Sequence, residues 1–369
     1  MLDKIHDENT AVAPPYSSGA NLDAKGYAQL MHAIFMRRDP TKDERFAGHL
    51  RSWRSLCIEH PRLLAIHRDI NIMKAEVKEF RGQEQFVLPI IGPSQSGKSK
   101  AIDHYINTVI APEAKPGTIP VLRVNISPRS SLKQLQADIL SPLVIDERGQ
   151  VDEAELRVGT EAEFRQKVRR FAQLRETDVI VLDESQHLLR GNKAARAKAV
   201  ADSIKLMAIE GAAAFVIIGT EEVWSIFTSN ADQTALRCKE PIFLNPLDWS
   251  LPHEQFLFEG YVAMLDAKLV EHGLTDDYSG FVDDDMAACF WEITRGIVGR
   301  VSRLTRIAWE TAFALEQPTI SRAVLAAAVD RWAIPLKLCR HNPFREGARD
   351  YEIVFKEWEK LGDRPAKWQ

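Results

Sequence analysis

The stretch FVLPIIGPSQSGKSK, residues 86–100, decides how the rest of the chain is read. Its first half is an apolar run, the texture of a strand buried on both faces. Its second half, GPSQSGKS from Gly92 to Ser99, fits the spacing G-x-x-x-x-G-K-S. A strand, a glycine-bounded turn and a helix start, in that order, aim successive backbone N–H groups at one point, and the helix amino end adds partial positive charge there. The spacing predicts a phosphate cradle built by Gly92, Pro93, Ser94, Gln95, Ser96 and Gly97, with Lys100 beside it. Lys98 is expected to reach the β and γ phosphates of ATP, and Ser99 to ligate Mg²⁺.

Downstream, VIVLDESQH (residues 179–187) is an apolar strand ending in two acids, where a P-loop enzyme needs them. Asp183 is expected to hold Mg²⁺ through water and Glu184 to polarise the attacking water. Gln186 and His187 follow as supporting groups or as plain structure. Thr220 ends the next apolar run, AFVIIGT, and fits a contact to the γ phosphate or the water; capping the following helix is the competing reading. Arg237, before the run PIFLNPL, fits an arginine supplied to a neighbouring subunit's nucleotide, against a surface arginine at a helix end. In GIVGRVSRL, Arg300, with Arg303 as second choice, begins a helix able to fold over the phosphates, against structural salt bridging.

The apolar runs 86–92, 120–126, 178–183 and 214–220 alternate with helical stretches near 98–110, 131–141, 160–175 and 193–209, and a weaker strand closes the set at 241–247. That alternation predicts an α/β domain with a parallel sheet. Helical patterns at 252–272, 283–294, 298–316 and 320–332 predict a small helical lid. The division expected is a flexible arm over 1–20, a helical N-terminal region over 21–84, the P-loop α/β core over 85–247, the lid over 248–333 and a C-terminal tail over 334–369. The tail's aromatics suit docking or a frayed end.

Composition narrows the class further. No run approaches the roughly 18 to 20 apolar residues that cross a bilayer, and the amino terminus lacks a secretory pattern, so a cytoplasmic protein with no membrane partner is expected. Four dispersed cysteines form no metal-ligand or C-x-x-C spacing. A net charge of -4 requires any polyanion to be met by local basic patches. Arg129 with Lys133, and Arg190, Lys193, Arg196 and Lys198, are the candidates for DNA phosphates, read equally well as solvated faces.

Taken together, GPSQSGKS, VIVLDESQH, VIIGT, Arg237 and GIVGR resemble AAA+ ATPases of the initiator-related group. The segment HPRLLAI (residues 60–66) and the text DESQHLL are similar to the transposition regulators TniB and TnsC, relatives of MuB, over roughly residues 55–315. The resemblance implies an AAA+ P-loop ATPase that assembles with ATP into a ring or helical filament on double-stranded DNA. It also implies recruitment or activation of a transposase, a TniQ-like target-selection adaptor as partner, and slow hydrolysis that regulates assembly. Another loader or remodelling ATPase, or a STAND-type nucleotide switch without DNA, shares the same nucleotide motifs.

Overall fold

A computed structural model describes residues 40–128, 132–145, 149–157, 159–189, 193–228 and 238–360. Among the described residues, two helices, α1 (Pro40–Ser55) and α2 (Pro61–Glu79), precede the first strand. Pro61 at the first position of α2, with His60 extended before it, sets the helix start without costing a hydrogen bond. Leu63, Ile66, Ile70, Met73 and Val77 recur on one face of α2 and are buried there.

The sheet contains β1 (Val87–Ile91), β2 (Val121–Asn125), β3 (Val179–Asp183), β4 (Ala214–Gly219) and β5 (Ile242–Phe243), all parallel, in the order β2-β3-β4-β1-β5. Every residue of β1, β3 and β4 is buried, the consequence of continuous apolar runs covered on both faces. Between strands run α3 (Lys98–Tyr105, continued by a π-helical turn over Ile106–Ile110), α4 (Leu132–Leu143), α5 (Glu153–Leu156), α6 (Glu161–Leu174), α7 (Lys193–Ile209) and α8 (Trp224–Thr228). The start of α6 is a capping box. Thr160 Oγ1 accepts the Glu163 N–H at 3.2 Å, and Glu163 reaches back to the Gly159 N–H at 2.9 Å.

After the sheet come α9 (Pro252–Glu271), α10 (Met286–Thr294), α11 (Val298–Ala314), α12 (Arg322–Ala328, extended by a π turn over Val329–Ala333), α13 (Pro343–Glu346) and α14 (Tyr351–Lys360). Their core includes Phe258, Phe281, Phe290, Trp309 and Leu325. Of the carboxyl-terminal aromatics, Phe344 and Trp358 are buried within it, the Trp358 ring 4.8 Å from that of Trp291, while Trp368 lies outside the described residues.

The amino-terminal helices build no separate core. Trp53 of α1 joins the C-terminal helical cluster, edge-on to Trp309, whereas α2 covers one face of the sheet with α3. The link between them alternates: Leu56 and Ile58 pack into the helical cluster, and Cys57 between them packs into the sheet core. The other face of the sheet is closed by α4, α6 and α7 through Leu135, Ile139, Phe164, Val168, Val200 and Ile204. The arm expected over 1–20 and the first part of the helical region expected from 21, up to residue 39, lie outside the described residues.

Candidate nucleotide site

The strand order sets β1 and β3 on either side of β4, so the carboxyl ends of all three reach the same edge of the sheet. In register, Ile91 lies opposite Gly219 and Leu182 opposite Ile217. Ligands of open parallel sheets bind at that edge, outside the carboxyl ends of the strands. Here it opens into a cavity of about 620 Å³. Residues 94–100 of the P-loop line it together with Glu184, Gln186 and Thr220. Motifs more than a hundred residues apart are thereby brought to one chamber.

The loop geometry is that of a cradle. Gly97 (φ 93°) and Gln95 (φ 68°) take left-handed backbone, which costs glycine little and Gln95 more. Gly92 is needed for space: a Cβ there would stand 2.9 Å from the Leu244 carbonyl oxygen. Lys98 is buried, and its Nζ donates to the Gly92 and Pro93 carbonyls at 2.8 and 2.7 Å and to Ser96 Oγ at 3.2 Å. Burial pulls its ammonium down to about 8, against the pull of Glu184 and Asp183, so it remains mostly charged at neutral pH. Lys100, at the start of α3, faces solvent and donates to the Arg54 carbonyl at 2.8 Å.

The two acids differ. Asp183 is buried; one oxygen accepts its neighbour's N–H, that of Glu184, at 2.8 Å, and the other accepts from Arg123 at 2.6 Å. Arg123 also pairs with Asp103 of α3, so one guanidinium ties β2, β3 and the P-loop helix together. Glu184 is turned by a left-handed φ of 58° and reaches the cavity with its side chain about half exposed.

A family model for the bacterial TniB protein matches residues 54–244, more than half of the chain. The chain belongs to the TniB family. Among solved structures, the Cdc6p protein of Pyrobaculum aerophilum is 13% identical, covers 85% of this chain and 84% of its own, and superposes with a TM-score of 0.52. The ADP form of the Aeropyrum pernix ORC2 protein is 13% identical over 85% of this chain and 83% of its own, with a TM-score of 0.49. The Aeropyrum pernix ORC1 protein in complex with DNA is 12% identical over 84% and 85%, with a TM-score of 0.48. No curated protein matches the chain. The fold of this TniB-family chain is the α/β P-loop fold of AAA+ type with helical regions around it.

The cavity of this TniB-family chain is also lined by Leu56, Cys57, Ile58 and His60 from the link before α2, Tyr261 of α9, and Val298, Gly299, Ser302, Arg303 and Arg306 of α11. The Gly299 N–H donates to the Gln95 carbonyl at 3.0 Å, and a Cβ at Gly299 would stand 2.2 Å from that oxygen. The helix start GIVGR thus rests directly on the P-loop. His60 meets the Tyr261 ring edge-on at 5.6 Å. Burial, then the Arg62 charge, lowers its pKa to about 4, so the ring is neutral at physiological pH.

Arg300 does not line the cavity; Arg303 and Arg306, on successive turns of the same helix, do. Arg306 also bonds Glu310 at 3.2 Å. Arg129, Arg190 and Arg237 lie outside the described residues. Lys133 stands exposed on α4, and Lys193 and Arg196 belong to the first turns of α7, their side chains outside the described set, with Lys198 exposed after them. Among the described residues no helix is long and apolar enough to cross a membrane.

Sequence reasoning passed over Arg123, although a charge inside an apolar strand that reads PVLRVNI is itself a signal that a buried partner awaits it. It also passed over Arg306, His60 and Tyr261, which only the meeting of distant helices brings to the cavity.

Proposed function

We propose that this TniB-family chain binds ATP with Mg²⁺ in the cavity at the carboxyl ends of β1, β3 and β4, and hydrolyses it slowly. The observation that carries the reading is the convergence on one chamber of the P-loop, Glu184 and Thr220 with the cations Lys98, Lys100, Arg303 and Arg306. A polyanion suits that lining, and the chamber has room for a nucleotide. In this reading the amides of residues 94–99 receive the phosphates, Lys98 exchanges its loop carbonyls for phosphate oxygens, and the base lies toward His60, Tyr261 and Val298.

Ser99 and Asp183 would hold the magnesium ion, which neutralises phosphate charge when bound. Ser99 and Asp183 offer the hydroxyl and carboxylate oxygens that Mg²⁺ takes, with the remaining positions left to the nucleotide's oxygens and water. In hydrolysis the water oxygen bonds to the γ phosphorus as the bridging P–O bond breaks. ADP leaves with that electron pair, and the water's proton passes to Glu184. Thr220 orients the γ phosphate or the water. Arg237 of a neighbouring subunit offsets the charge that develops, and the helices from α9 to α12 act as the lid.

At the next level we propose an ATP-dependent, DNA-binding regulator of transposition. ATP drives homo-oligomerisation into a ring or filament on double-stranded DNA, the assembly recruits or activates a transposase, a TniQ-like adaptor selects the target, and hydrolysis disassembles it in the cytoplasm. Membership of the TniB family supports this reading. Calorimetry with Mg²⁺ and ATP tests the first level, and absence of heat would remove it. Negative-stain imaging with ATP and plain duplex tests the second: DNA-dependent rings or filaments are expected, and isolated particles would favour a nucleotide switch that needs no DNA.

A further inference from the structure

Gln186 lies between the Glu184 carboxylate and the backbone of Thr220, two residues of the proposed hydrolytic site, and touches both. Its Oε1 accepts the backbone N–H of Thr220 at 3.2 Å, and its Nε2 donates to Glu184 Oε2 at 2.5 Å. A carboxamide carries an acceptor and a donor on one rigid plane, so a single side chain answers an N–H on one side and a carboxylate on the other. A leucine has neither group, and a glutamate lacks the donor.

The space it occupies is specified elsewhere in the sequence. A Cβ on Gly219, the last residue of β4, would stand 2.7 Å from Gln186 Oε1 and 2.3 Å from Val223 Cγ2, so glycine there admits the carboxamide. The backbone around Gln186 is fixed as well. It sits in a 3-10 turn over Ser185–Leu189, pinned by Ser185 Oγ donating to the Leu182 carbonyl at 2.9 Å and by burial of Ser185, Leu188 and Leu189. His187, the other polar neighbour of Glu184, stays 3.9 Å from the carboxylate, beyond hydrogen-bond reach.

We infer that Gln186 is the positioning residue of ATP hydrolysis: it aims the Glu184 carboxylate and ties that aim to the end of β4, where Thr220 faces the nucleotide. The inference rests on the hydrolysis reading above. Gln186 takes no proton and touches no reacting atom; it holds Oε2 of Glu184 and leaves Oε1 for the water. Because one plane links both contacts, a shift of the Thr220 backbone is passed to Glu184 as a rotation of its carboxylate.

The test uses the full chain, with duplex DNA present, and compares Gln186→Leu with Gln186→Glu, which keeps the acceptor toward Thr220 and loses the donor toward Glu184. Steady-state hydrolysis gives kcat and KM, and a fluorescent ATP analogue gives Kd. Both variants are expected to lose on the order of 10- to 100-fold in kcat, the cost of a misaimed group, with KM and Kd within about threefold of wild type. In single-turnover assays on a Glu184→Gln background, Gln186→Leu is expected to add less than about twofold, since the two residues act as one unit. An unchanged kcat, a loss shared with Kd, or a full further loss on that background overturns the inference. Should Gln186→Leu fail to fold in a thermal melt, Gln186→Glu decides by the same criteria. A wild-type protein that binds ATP but releases no phosphate would strike the hydrolysis reading itself, a result distinct from variants that match an active wild type.

Discussion

At the residue scale, the proposed function gives Lys98 and Glu184 different tasks. Lys98 stands within the cradle with three loop oxygens as its partners. Lys98→Ala is expected to cost at least about 2 kcal/mol of ATP binding, the worth of one charge-assisted hydrogen bond, or more than about 30-fold in Kd by calorimetry. Glu184→Gln is expected to keep ATP affinity within a few-fold while lowering turnover by about 10²- to 10⁴-fold in a phosphate-release assay. His60 gives a pH signature. Its pKa is near 4 when folded and near 6.5 when unfolded, so below pH 6.5 the unfolded chain binds the extra proton first. Stability should therefore fall as pH drops from about 6.5 to 4, by up to about 3 kcal/mol, and His60→Phe should flatten that part of a denaturant-melt series.

At the scale of elements, the contact between α11 and the P-loop is a matter of a missing methyl. Gly299→Ala would drive a Cβ into the Gln95 carbonyl. The helix must then retreat, at a cost of about 1 to 3 kcal/mol in stability and with weaker ATP binding, both readable from melts with and without nucleotide. The tail helix α14 is likewise structural, since Trp358 packs on Trp291 and under the Arg295 guanidinium. Trp358→Ala is expected to lower stability by about 3 to 5 kcal/mol in chemical denaturation.

These elements were legible in the sequence to unequal degrees. The strands at 87–91, 179–183 and 214–219 were plain because buried parallel strands leave unbroken apolar runs. The P-loop turn and the place of Glu184 beside it were plain because each follows directly on such a run. The docking of α14 was open, since an aromatic-rich segment reads alike whether packed or frayed. Gln186 was legible only as a supporting group or plain structure, and Arg123 only as a charge in want of a buried partner: the Thr220 N–H and Asp183 lie dozens of residues away and meet them only when the strands pair.

For the whole molecule, a net charge of -4 means that any grip on DNA has to come from repetition along an assembly rather than from one subunit's field. Changing Lys193 and Arg196 together to Glu is expected to weaken duplex binding by about tenfold or more and to flatten its dependence on salt, with nucleotide affinity of the monomer unchanged. Fluorescence anisotropy across a salt series checks this, and equal curves would discard the patch. The link before α2 has a consequence of its own. With Leu56 and Ile58 sewn into one body and Cys57 into the other, the backbone there is a stitch through the seam beside the cavity. Neither body could turn against the other without tugging that thread.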